Sequence, residues 1–182
     1  NNLIPLFGVF SMAVFCVMSS VMYSKFVIED YSGKRPILLF SYPVSRKKII
    51  LSKLSVVSGV TIISMIVSNL LVFMTFGITE NFIHLVGKDF TLSIMLKVVE
   101  NALIMSLIAA SIGVVAVGIG FIKKSIPTTI VSAVLIASLM CNIVINTSLS
   151  RVTMYMLTTV MIFVGIVFSI FLIKKVNVME VK

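Results

Sequence analysis

Charge is the scarcest commodity in this chain. Of its 182 residues, 12% are Asp, Glu, Lys or Arg, where a soluble domain carries about 25%. Hydrophobic residues make up 59% and mean hydropathy is +1.21. That balance excludes an ordinary soluble domain and points to a polytopic membrane protein. Cysteine is scarce too. Cys16 and Cys141 both fall in apolar segments, so they read as buried free thiols rather than a disulfide or a metal pair. The single histidine, His84, has no second His or nearby Cys, which argues against a metal site. There is no G-x-x-x-x-G-K-[ST] phosphate loop, no H-E-x-x-H pair and no G-x-S-x-G elbow. Gly113, Gly118 and Gly120 sit in an apolar run and form no dinucleotide turn. No series of Asp, Glu or His crosses the apolar segments, as a proton-driven pump would need. No pair of catalytic residues sits at matching depth, so the chain by itself is not expected to be an enzyme.

What is present is length without polarity. Five stretches, near 3–23, 54–78, 93–121, 127–146 and 152–173, are long enough to cross a bilayer core of about 30 Å, which takes about 20 helical residues. They are too long and continuous for barrel strands, so the expected fold is all-α, a single membrane-embedded helix bundle over 1–182. The prolines agree. Pro5 and Pro127 stand in the first turn of a span, where a missing N–H costs nothing, and Pro36 and Pro43 lie between spans.

The net charge of +9 is no nucleic-acid signal, because the basic residues gather at the ends of spans rather than on one face. Twelve of the 15 fall on one side: Lys25, Lys34, Arg35, Arg46, Lys47, Lys48 and Lys53, then Lys123 and Lys124, then Lys174, Lys175 and Lys182. The other side holds Lys88 and Arg151, with Lys97 just inside the third span. The bias alternates across all five spans, which makes the 24–53 loop, the 122–126 turn and the tail cytoplasmic. Asn1 then faces outward. The chain starts without Met and meets an apolar span with no basic leader, so that span is not a signal peptide. The expectation is a further span upstream.

Small residues recur four apart at Ser55/Gly59, Ala109/Gly113, Ala116/Gly120, Ala133/Ala137 and Gly165/Ser169. Such pairs let backbones approach closely in lipid, within one bundle or between subunits. Asn69, Asn101 and Asn142 are candidates for hydrogen bonds between helices. Lys97 and Glu100, three apart near the outer end of the third span, are a candidate intramembrane polar pair.

The 24–53 loop is more than a tether. Glu29 and Asp30 suit the start of a short helix, capped by Asp30 or Ser32 and running to about Phe40. Ser41, Tyr42 and Pro43 make a turn, and from Val44 a second helix leads through Lys53 into the membrane. Arg46, Lys47 and Lys48 stand in the first turn of that helix, where the macrodipole disfavours cations. Anionic headgroups offset this by about 1 kcal/mol per basic residue, so Lys47, Lys48 and Lys53 are expected to contact lipid. Ile37, Leu38, Leu39 and Phe40 are four consecutive apolar residues that need cover, either from the bilayer surface and the bundle or from a groove on a soluble partner.

The string Glu29-x-Tyr31-x-Gly33, then Leu38-Leu39-Phe40-Ser41-Tyr42-Pro43-Val44-Ser45-Arg46-Lys47-Lys48, then Ser52-Lys53-Leu54, resembles the segment between the second and third membrane helices of ABC-2 type transporter permeases. That motif covers about 25 residues, and the alternating topology extends the likeness to the whole chain. The family has six membrane helices, and the five spans here would be its second to sixth. Two features depart from it: the first helix is not in this chain, and the last outer turn is short. The resemblance implies a transmembrane subunit in the bacterial cytoplasmic membrane, paired with a separate ATPase that binds ATP and Mg, and present in two copies. It implies docking of that ATPase by Gly33, Ile37, Leu38, Leu39 and Phe40, bracing by Glu29 and Tyr31, and a loop angle set by Pro43 and Arg46. The charge-poor interior suits an amphipathic substrate such as a peptide or bacteriocin. The alternative is a non-transporting immunity or sensor protein whose basic loop binds lipid or a partner.

Overall fold

The structure, a computed structural model, describes residues 3–29, 46–83, 92–123, 125–147 and 150–177. Among them are five long helices: α1 (Leu3–Tyr23), α2 (Arg46–Ile83), α3 (Leu92–Lys123), α4 (Ile126–Thr147) and α5 (Arg151–Asn177). Every one is long and apolar enough to cross a membrane. Each contains one of the five expected spans. α2 starts at Arg46, so the approach to the second span is helical from its basic end onward. With 38 residues it is about 57 Å long, well beyond the bilayer core.

The helices are not equivalent. In α3, 78% of the apolar window is buried, against 39% or less in the other four. It packs on α1, α2, α4 and α5, while α4 and α5 barely touch one another. The reason is size. Lipid is as apolar as Leu, so association depends on close packing rather than on water exclusion. α3 carries Ala102, Ala109, Ala110 and Ala116, all buried, with Gly113, Gly118 and Gly120 between and beyond them. Neighbours can therefore approach it from every side. A β-carbon on Gly113 would lie 2.7 Å from Ser19 Oγ, and one on Gly120 would lie 2.9 Å from Thr129 Cβ. Ala133 and Ala137 are buried as well, and Gly165 packs on Ser111. Ser55 and Gly59 differ: Ser55 is exposed, and a β-carbon on Gly59 would meet nothing within 4 Å. The outer four helices turn large apolar side chains outward, among them Phe10, Ile63, Leu139 and Phe163.

Two packed clusters divide the bundle along its length. One is rich in methionine, with Met12, Met65, Met105, Met140, Met154 and Met161 around Ile108 and Ile112. Unbranched Met side chains fill irregular gaps between helices. The other lies at the basic end and joins Tyr23, Val27 and Ile28 to Ile50, Leu54 and Val57, and to Phe121, Leu172 and Val176.

Candidate functional site

The two helix ends that flank residues 30–45 in sequence meet in this second cluster. α1 does not stop at Tyr23 but widens into a π-helical turn, Ser24–Ile28, closed by the Glu29 N–H donating to Ser24 O. Such turns carry one extra residue and recur at functional positions. Val27 and Ile28 on this turn are fully buried, as is Ile50 in the second turn of α2. Tyr23 lies beneath them with no exposed surface. Its hydroxyl donates to Leu54 O at 3.3 Å and shares a 2.6 Å hydrogen bond with Ser58 Oγ. A buried phenol needs such partners, and both come from α2.

Charge is arranged around this apolar base. Lys25, Lys47, Lys48, Lys123 and Lys174 are exposed, and Lys53 and Glu29 are half-buried. The first turn of α2 contains no acidic residue. Its cations therefore sit against the positive end of the helix with no carboxylate in that turn to balance them. Lys175 lies 5.6 Å from the Phe171 ring centroid, a cation–π distance. Of the expected docking residues, Glu29 ends the π turn and Arg46 opens α2. Tyr31, Gly33, Ile37, Leu38, Leu39, Phe40 and Pro43 lie outside the described residues, as does the expected short helix.

A second polar group sits at the opposite end. Glu100 on α3 accepts a hydrogen bond from the Tyr155 hydroxyl and stands 3.9 Å from Arg151, both on α5. Its carboxylate thus turns to the neighbouring helix, and Lys97, expected as its partner, is exposed on α3. Sequence spacing favours a pair three apart on one helix but is blind to a helix packed alongside. The asparagines divide similarly. Asn69 accepts from Ser11 Oγ across the α1–α2 interface at 3.1 Å. Asn101 lies beside Gly8 of α1. Asn142 instead donates to Ser138 O on its own helix, 3.0 Å away, and is exposed. The thiols are free, Cys16 buried and Cys141 half-buried. Among the described residues no three His, Cys, Asp or Glu converge as metal ligands.

Tyr23 and its α2 partners were not anticipated. The available signal was the one tyrosine of an otherwise apolar and serine-bearing stretch, at its inner end, where a buried phenol must find a bond.

Five helices able to span a bilayer, packed around a small-residue centre, define a multi-span membrane protein. Over 145 residues the chain is 32% identical to the uncharacterized protein YcbO of Bacillus subtilis (strain 168). The match takes in 80% of this chain and 64% of that protein, so the chain spans just under two thirds of its relative's length. No family model matches the chain. No solved structure matches it either.

Proposed function

We propose that this chain is the membrane permease subunit of an ATP-driven ABC exporter. It moves an amphipathic substrate, such as a peptide or bacteriocin, across the bacterial cytoplasmic membrane. The observation that carries the reading is the base of the 30–45 loop. Both helix ends that hold the loop are locked together by Tyr23, Leu54 and Ser58, within a packed apolar cluster. A firm base is what a docking loop needs if force on it is to reach the membrane. The motif in the loop supplies the apolar residues for a partner's groove, with Leu38 and Leu39 at its centre. On this reading ATP and Mg bind a separate ATPase subunit, two permease copies form one pathway, and hydrolysis belongs to the partner. Lys47, Lys48 and Lys53 rest against anionic headgroups, which balance the unfavourable dipole at the start of α2.

Purification of the complete membrane protein in mild detergent should bring an ATPase with it. Replacing Leu38→Asp together with Leu39→Asp should abolish that association while leaving the permease in the membrane. An ATPase that stays bound and coupled to the double variant would overturn the docking assignment. The cationic start of α2 also favours a second reading, a non-transporting immunity or sensor protein held at anionic lipid. That protein would purify without an ATPase, and its loop would leave anionic vesicles as salt rises.

A further inference from the structure

α1 and α2 touch through three side-chain pairs that share one antiparallel register. Phe7 meets Phe73 edge to face, with ring centroids 6.0 Å apart. Four residues further along α1, Ser11 donates to Asn69, four residues earlier on α2. Twelve residues beyond Ser11, Tyr23 bonds Ser58, eleven before Asn69. The pairs run from one end of the membrane core to the other, over about 24 Å of helix. Each partner is fixed in turn: Asn69 Nδ2 donates to Met65 O at 2.9 Å, and Tyr23 is held by Leu54 O as well. Neutral hydrogen bonds between membrane helices are modest singly, but two at opposite ends oppose both sliding and splaying.

The other flank of α2 is built differently. Between α2, α3 and α5 lies a crevice of about 210 Å³ beside Ser58, Ser111, Gly165 and Ser169. Two of its three hydroxyls turn back on their own helices, Ser111 bonding Leu107 O at 2.8 Å and Ser169 bonding Gly165 O at 3.0 Å, while Ser58 is taken up by Tyr23 of α1. A β-carbon added to Gly165 would meet Ser111 only at 3.4 Å, ordinary contact distance. Small side chains, free volume and hydroxyls that bond away from α5 or within it make a surface along which α5 can shift against α2 without breaking either α1–α2 hydrogen bond.

We infer that α1 and α2 move as one rigid hairpin, and that the bundle yields along the α2–α5 crevice. Residues 30–45 connect the two helices in sequence at the lysine-rich end. Any partner pulling there, ATPase or otherwise, therefore displaces both helices together. The inference goes beyond the exporter reading and does not depend on it.

Spin labels read this directly. On a Cys16→Ala, Cys141→Ala background, one sample carries labels at Leu6 and Val56, and another at Val56 and Val152, all exposed positions. The Leu6–Val56 distance should form one narrow distribution whose centre is the same in detergent and in lipid nanodiscs. The Val56–Val152 distribution should be broader or shift by several ångströms between them. Ser58→Ala with Asn69→Ala should widen the first at least twofold. A Leu6–Val56 distribution as broad as the other, or one unchanged by the double variant, would overturn the inference. If the double variant does not fold, Ser58→Ala alone carries the comparison, since it removes one hydroxyl and no packing. An ATPase need not be present, so the result stands apart from the exporter test.

Discussion

Glycine means opposite things at different positions of this bundle. At Gly113 a β-carbon would press on Ser19 Oγ at 2.7 Å and on the Tyr23 ring at 3.0 Å. Neither neighbour can retreat freely. Ser19 Oγ donates to Cys16 O at 3.0 Å, and Tyr23 is tied to α2. Overpacking of this kind costs about 1–3 kcal/mol. Gly59, with nothing near it, should accept alanine without loss, and could gain up to about 1 kcal/mol from helix propensity. Parallel unfolding titrations should therefore show Gly113→Ala destabilised and Gly59→Ala unchanged or improved. Equal losses in both would mean that Gly59 meets a partner in the folded protein. The two glycines look alike in sequence, each four residues after a small one. What separates them is which side of the helix faces protein, and no apolar period reveals that when both faces are greasy.

Among the elements, location was legible and neighbourhood was not. Each apolar run became a helix because length and lipid leave the backbone no other way to satisfy itself. The extension of α2 to Arg46 was readable from the helical pattern after Val44. That α3 is central was foreshadowed by its alanines and glycines, yet small residues occur in every span, so only packing settles it. The Glu100 contacts with α5 show the limit well. Arg151 is the first residue of α5, where the dipole disfavours a cation, and Glu100 supplies the missing negative charge from the adjacent helix. Arg151 is 69% exposed at its side chain, so this pair is worth at most about 1 kcal/mol. A double-mutant cycle on Glu100→Gln and Arg151→Gln should return a coupling below that value, falling as salt rises. A larger coupling, insensitive to salt, would place the pair in a drier setting than its exposure indicates.

For the molecule as a whole, the decisive quantity is the sidedness of charge. The described lysines at the end holding Lys25, Lys47, Lys123 and Lys174 belong to four different helices, yet all gather there. By the positive-inside rule, such a distribution predicts that this end lies in the cytoplasm. On a background lacking native cysteines, Lys47→Cys should react with an impermeant maleimide only after the cells are opened. Arg151→Cys should react in intact cells. The reverse pattern would invert the topology and remove any cytoplasmic ATPase from reach of the 30–45 loop. The motif expected to grip such a partner stands out in the sequence as an apolar run flanked by charge, and it lies outside the described residues.

The π-helical turn at Ser24–Ile28 has a consequence for how the chain is phased. An α-helix turns by about 100° per residue, so the one additional residue in a π turn rotates everything after it by about that angle. Within the turn itself, Val27 and Ile28 face the core while Lys25 and Phe26 look outward. The phase in which the helix reaches Glu29 is thus written in a single residue of surplus. Deleting one residue there would turn the Glu29 end of the helix by about 100° without changing any other side chain.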